Sequence, residues 1–179
     1  MQEMIYFTSD THFGHSRIID YCRRPFRNVD HMDEELIRRW NSRVKDGDSV
    51  VHLGDFSFYN SSRTKEIISR LNGEISLVRG NHDRNPGRFF TNVADKASFR
   101  IAGVTVLASH YPYRGVQIDA RDFSSRQIEY HDGWLLCGHV HDRWIVNGRM
   151  INVGVDAWDF APISEDEVAE IIVNGGWNG

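Results

Sequence analysis

Three apolar runs in the first half of the chain stop abruptly at a residue bearing a side-chain oxygen. Met4 to Thr8 ends at Asp10, Val50 to Leu53 at Gly54-Asp55, and Leu77-Val78 at Gly80-Asn81-His82-Asp83. Short apolar runs closed by turn formers read as buried strands. Between the first two strands Met32, Leu36, Ile37, Trp40 and Val44 recur at helical spacing, and between the next two Ile67, Ile68 and Leu71 do the same. The resulting β-α-β-α-β order favours a parallel sheet with right-handed crossovers. In open sheets of this kind ligands bind beyond the carboxyl ends of the strands, where Asp10, Asp55 and Asn81 fall.

The second half changes character. Phe99 to Ala102 and Val104 to Ser109 flank Gly103, Trp134 to Cys137 forms another short run, and Asn147-Gly148 is a two-residue hairpin signal. A second, mainly antiparallel sheet is the expectation. Ser164 and Glu167 make a capping box for a last helix with Val168, Ile171 and Ile172 on its apolar face. The stretch from Tyr111 to Asp132 has weak periodicity and reads as a long loop or a short helix around Phe123 to Tyr130. At 179 residues, one domain spanning 1–179 is expected.

Composition removes several classes. No apolar run approaches the roughly 18 residues of a membrane span. The start, Met1-Gln2-Glu3-Met4, lacks the basic and then apolar pattern of a secretory signal, so a cytoplasmic location is expected. Cys22 and Cys137 are too far apart for a cysteine zinc motif, and Cys137 reads as core. A net charge of −4 argues against duplex DNA, although Lys and Arg crowd residues 17 to 45. Arg23, Arg24 and Arg27, near Tyr21 and Phe26, read as a solvated face. No Gly-Lys dipeptide occurs, which sets aside phosphate-loop NTPases.

The nine histidines carry the chemical signal. Five fragments end strands with oxygen or imidazole donors: Asp10-Thr11-His12, Gly54-Asp55, Gly80-Asn81-His82-Asp83, Ser109-His110 and Gly138-His139-Val140-His141. Carboxylate and amide oxygens mixed with imidazoles suit Mn, Fe, Co, Ni or Zn. The donors exceed what one ion needs. Two ions about 3.5–4 Å apart require a bridging carboxylate, and Asp55, central in the order, is the natural bridge.

In order and spacing these fragments resemble the signature of the calcineurin-like metallophosphoesterases: D-x-H, G-D, G-N-H-[DE], H and G-H-x-H. Asp10-Thr11-His12-Phe13-Gly14-His15 is similar to a small bacterial and phage branch of that family. The resemblance implies a four-layer αββα sandwich of two mixed sheets flanked by helices. By position it implies that Asp10, His12, Asp55 and His141 hold one divalent ion, and Asp55, Asn81, His110 and His139 a second. It further implies a bridging hydroxide attacking phosphorus in line, with His82 assisting the leaving group. Many members read G-D-x-x-D, whereas Phe58 stands at the last of those positions here. Asp83, Asn60 or a water would then orient His82.

Other residues have two readings. His131 competes with His110 as a ligand. His15 touches substrate or serves a helix start; His52 reads as core and His31 as surface. Arg17, Arg114 and Arg143 are phosphate clamps or surface cations. Trp40, Trp134 and Trp144 read as packing, and Trp158 as lining the cleft.

The functional expectation is a phosphodiesterase acting on a small phosphoester, a nucleotide or cyclic nucleotide, with two divalent transition-metal ions, manganese first and Ni, Co, Fe or Zn as alternatives. A phosphomonoesterase is the nearest alternative. A binding scaffold on the same fold, as in the retromer's small subunit, is another, and the intact donors oppose it. A metallo-β-lactamase-like site would need H-x-H-x-D-H, but His139-Val140-His141 continues as Asp142-Arg143.

Overall fold

The structure, a computed structural model, describes residues 3–116 and 125–176. The first half builds β1 (Ile5–Thr8), α1 (Ser16–Tyr21), α2 (Val29–Arg43), β2 (Ser49–His52), α3 (Ser61–Arg70), β3 (Glu74–Val78) and β4 (Val93–Ala94). Strands β1, β2, β3 and β4 pair in parallel, as short strands joined by helical crossovers should. Asn28 and Asn60 start α2 and α3 by accepting from the backbone N–H of His31 and Arg63.

The second half adds β5 (Ala97–Ile101), β6 (Val104–Ala108), β7 (Trp134–Cys137), β8 (Val146–Asn147), β9 (Met150–Asn152), β10 (Ile163–Ser164) and α4 (Glu165–Val173). β10 returns to the first sheet, antiparallel to β1, giving the order β10-β1-β2-β3-β4. The second sheet has the order β5-β6-β7-β9-β8. It is mixed rather than mainly antiparallel: β5–β6 and β8–β9 are hairpins, but β6–β7 and β7–β9 run parallel. The connections from β6 to β7 and from β7 to β9, the second of them containing β8, are long enough for each strand to re-enter in the same direction. The β8–β9 turn falls one residue later than expected, on Gly148-Arg149, with the left-handed φ at Gly148.

Alternation along the strands divides the interior. Tyr6, Val50 and Leu77 face Met32, Leu36, Trp40 and Ile67 of the helices. Phe7, Val51, Leu53 and Val78 face Val106, Leu136, Ile151 and Val153 of the second sheet, joined by Val168 and Ile171 of α4. Beyond the second sheet, Leu135, Cys137 and Met150 pack with Tyr113, Val116, Ile128 and Trp144. Cys137 is thus core, with its thiol pushed up by burial. Residues 125–130 contain no helix, and Phe123 and Ser124 of the expected one lie outside the described residues. The Ser164–Glu167 capping box is present. No helix among the described residues is long and apolar enough to cross a membrane.

Candidate metal centre

The five donor fragments meet at one end of the two sheets. The segments after β1 and β2 run side by side, with the N–H of Asp10 donating to Gly54 O and that of His12 to Asp55 O, both at 3.0 Å. The backbone turns sharply at the donors themselves: Asp10, His12, Asp55, His139 and His141 all adopt left-handed φ between 51° and 67°. Non-glycine residues rarely accept that region, and when several do so together the surrounding structure holds them there. Gly138 permits the closest approach, since a Cβ there would overlap Ser9 Oγ and Asp10 Oδ2.

Two sets of donors result. Asp10, His12 and His141 bring ligand atoms within 4.8 Å of one another, and so do Asp55, His110 and His139. Asn81 joins the second set, its Oδ1 3.0 Å from His110 Nε2, which also lies 3.1 Å from His139 Nδ1. Asp55 stands between the sets: its Oδ2 is 3.7 Å from His12 Nε2 and 3.6 Å from His110 Nε2. The structure therefore brings together all seven sequence-predicted donors. His131 is elsewhere, against the Tyr113 hydroxyl.

The residues fit divalent ions. Among the described residues, Asp10 Oδ1 and both ring nitrogens of His12 are buried without a hydrogen-bond partner; a cation beside Asp10 would take the lone pairs of that oxygen and of His12 Nε2, the nitrogen that faces Asp10 and Asp55. His110 Nδ1 lies 2.7 Å from the carbonyl of Leu53, so Nδ1–H donates there and Nε2 faces Asn81 and His139. Burial pushes His12 down to about 3 and Asp55 up to about 6, with the Asp10 and Asp83 charges adding to the rise at Asp55. Burial also opposes charge on Asp10, but the imidazoles of His12, His141 and His110 hold its carboxyl below the usual range. At His141 burial works downward, yet Asp156, Cys22 and Asp10 carry it up to about 11.

Two residues that sequence reasoning missed support the first set. Asp156 Oδ2 accepts from His141 Nδ1 at 2.9 Å. Arg24, expected on a solvated face, is buried: its Nη2 and Nη1 donate to the carbonyls of Asp10 and Thr11, and it pairs with Asp156. Only the position of Asp156 just past β9 could have signalled this. His52 proves structural, accepting from the Gly54 N–H and meeting Thr11 Oγ1 at 3.0 Å, with burial holding it down at about 4.

His82 lines the cleft with its side chain 35% exposed and its Nε2 4.0 Å from Asp55 Oδ2. Neither expected carboxamide or carboxylate partner orients it. Asp83 instead accepts from the backbone N–H groups of Asp55, Phe56 and Gly80, clamping two loops, and Asn60 caps α3. The ring of Phe58 rests against His82 at 4.8 Å and His15 at 4.2 Å. His15 and Arg143 border the cleft of about 380 Å³. Arg17 is not on its wall, Arg114 pairs with Glu129, and Trp158 packs with the inter-sheet core and donates to Asn152 O.

Comparison with known proteins agrees with this geometry. Residues 4–155 match the calcineurin-like phosphoesterase superfamily domain. An uncharacterized protein of Methanocaldococcus jannaschii is 35% identical, over 96% of this chain and 92% of its own length. The gene 66 protein of Mycobacterium phage D29 is 34% identical, over 94% and 95%. The crystal structure of a protein of unknown function from Aquifex aeolicus is 30% identical and superposes with a TM-score of 0.75, covering 94% of this chain and 99% of that one. The chain belongs to the calcineurin-like phosphoesterase superfamily, a family of metal-dependent phosphoesterases.

Proposed function

We propose that the protein is a dinuclear phosphodiesterase acting on nucleotide or cyclic-nucleotide substrates. The observation that carries this reading is the pair of donor sets sharing Asp55, with buried lone pairs on Asp10 and His12 that no protein group satisfies among the described residues. Asp10, His12, Asp55 and His141 would hold one ion, and Asp55, Asn81, His110 and His139 the other. When bound, two divalent ions supply Lewis-acid charge and make water nucleophilic at neutral pH. Mixed oxygen and imidazole donors favour manganese, with Ni, Co, Fe and Zn also suited.

The chain's own residues do the rest. His82, at the mouth of the cleft, holds a proton for the leaving oxygen. Phe58 restrains the His82 ring by packing. The backbone N–H of His82 donates to Asp55 Oδ1 at 2.8 Å, which ties His82 to the carboxylate that both donor sets share. Arg143, at the cleft wall, is placed to receive phosphoryl oxygens.

The test is to strip the protein with chelator and add back Mn, Ni, Co, Mg or Zn, counting bound metal. Hydrolysis is followed on bis-p-nitrophenyl phosphate, p-nitrophenyl phosphate and 2′,3′-cyclic nucleotides. Two ions per chain with restored, preferential diester cleavage is the expected result. Monoester preference would make it a phosphatase, and two ions without turnover on any ester would favour a binding scaffold.

A further inference from the structure

A second cavity of about 450 Å³ adjoins the cleft, and His82 lines both. We infer that it seats the leaving nucleotide of the diester, with the base against Phe58 and Phe89 and that nucleotide's own phosphate at Arg84 and Arg88; this rests on the phosphodiesterase reading above.

Position comes first. If His82 protonates the leaving oxygen, the group attached to that oxygen departs past His82, and the space beyond it is this cavity. Its volume lies in the range of about 300–1,000 Å³ usual for small-ligand sites. Its chemistry is that of a stacking platform with a cationic rim. Phe58 is 42% exposed, and Phe89 is half-buried. Arg84 and Arg88 are exposed on the wall and form no ion pair among the described residues. Asp83 is the one carboxylate there, and its oxygens are committed to three backbone N–H groups, so the wall is net positive. Aromatic faces beside arginines accept a base of any identity and its phosphate.

The test compares two diesters that differ only on the leaving side: a dinucleotide carrying a 5′-terminal and an internucleotide phosphate, and the matching nucleoside methyl phosphodiester. The metal-loaded wild type should prefer the dinucleotide. Phe58→Ala and Arg88→Ala should each lower the ratio of the two kcat/KM values by about tenfold, mainly through KM, the factor that losing one stacking or phosphate contact produces. In parallel, adenosine 5′-monophosphate and inorganic phosphate are titrated calorimetrically into the same loaded proteins. The nucleotide should bind tighter than phosphate, and the difference should shrink in both variants. Unchanged ratios and an unchanged binding difference would overturn the subsite while leaving diester hydrolysis intact. A variant-sensitive nucleotide preference in binding, without hydrolysis of any diester, would support the subsite and overturn the reaction. Arg88 is exposed, so its variant keeps the test decisive even if Phe58→Ala misfolds.

Discussion

Arg24 and Asp156, 132 residues apart in sequence, meet in a two-point ion pair, Nε to Oδ1 at 2.8 Å and Nη2 to Oδ2 at 2.9 Å. Both side chains are buried, at 0% and 2% exposure. The same Asp156 oxygen takes the His141 ring, and the same guanidinium takes the carbonyls of Asp10 and Thr11. One buried charge pair therefore fixes both halves of the first donor set, the acidic turn after β1 and the histidine after β7.

Replacing Arg24 by Met should leave the buried Asp156 carboxylate with the His141 ring as its remaining charged partner, so the cost should fall below the roughly 3–5 kcal/mol of a fully uncompensated buried charge. The loss should also loosen His141 more than His110. Chemical unfolding of the metal-free variant checks the stability effect. Metal titration should show one of the two binding events weakened well beyond the other; equal weakening of both would contradict a specific role at the first set.

Asp55 and His82 should separate on substitution. Asp55→Asn keeps an acceptor for the His82 N–H but removes the charge shared by both donor sets, so both ions should be lost with activity. His82→Ala should retain two ions and lose turnover by roughly 10²–10⁴-fold, the usual worth of general acid catalysis. Metal analysis beside kinetics decides it, and equal metal loss in the two variants would remove His82 from the proton-donating role.

Much of this was legible in the sequence because strand-end donors sit immediately after apolar runs: Asp10 after Phe7-Thr8, Asp55 after Val51-Leu53, His139 after Leu136-Cys137. Local pattern and chemistry coincide there. Arg24 was illegible because its partner lies 132 residues away and its neighbours Arg23 and Arg27 look like a solvated face. The direction of β7 was illegible for a related reason. β7 pairs in parallel with β6, and the weak periodicity of the sequence between them does not announce that direction. The orientation of Asp83 depended on three backbone N–H groups brought together only by the fold.

Gly138→Ala should act at the metal centre through space alone. The new methyl would collide with Ser9 Oγ and Asp10 Oδ2, the oxygen that accepts from the His139 N–H. Overpacking of this kind costs about 1–3 kcal/mol. Displacing Asp10 should also weaken the first ion. A melting curve lowered in the metal-free protein, together with a lost high-affinity metal equivalent, is the expected pair of results; a normal metal count would show that Asp10 tolerates the shift.

Asp33 offers a pH test away from the donors. It is 2% exposed on α2, accepts from the Gly14 N–H at 3.2 Å, and burial pushes it from 3.8 up to about 6 against the pull of that hydrogen bond. A raised carboxyl pKa means the folded state binds the proton more tightly than the unfolded chain. Its contribution is therefore fully present below pH 3.8 and is lost as pH rises through about 6. At pH 7.5 the ionised, buried group should cost on the order of 2 kcal/mol. Asp33→Asn keeps an acceptor for Gly14 and cannot ionise, so the variant's stability relative to wild type should climb between pH 4 and pH 7 and level off above. Urea unfolding of both proteins across that window, without metal, measures the difference directly. A difference independent of pH would mean that Asp33 ionises in the folded protein as readily as in the unfolded chain.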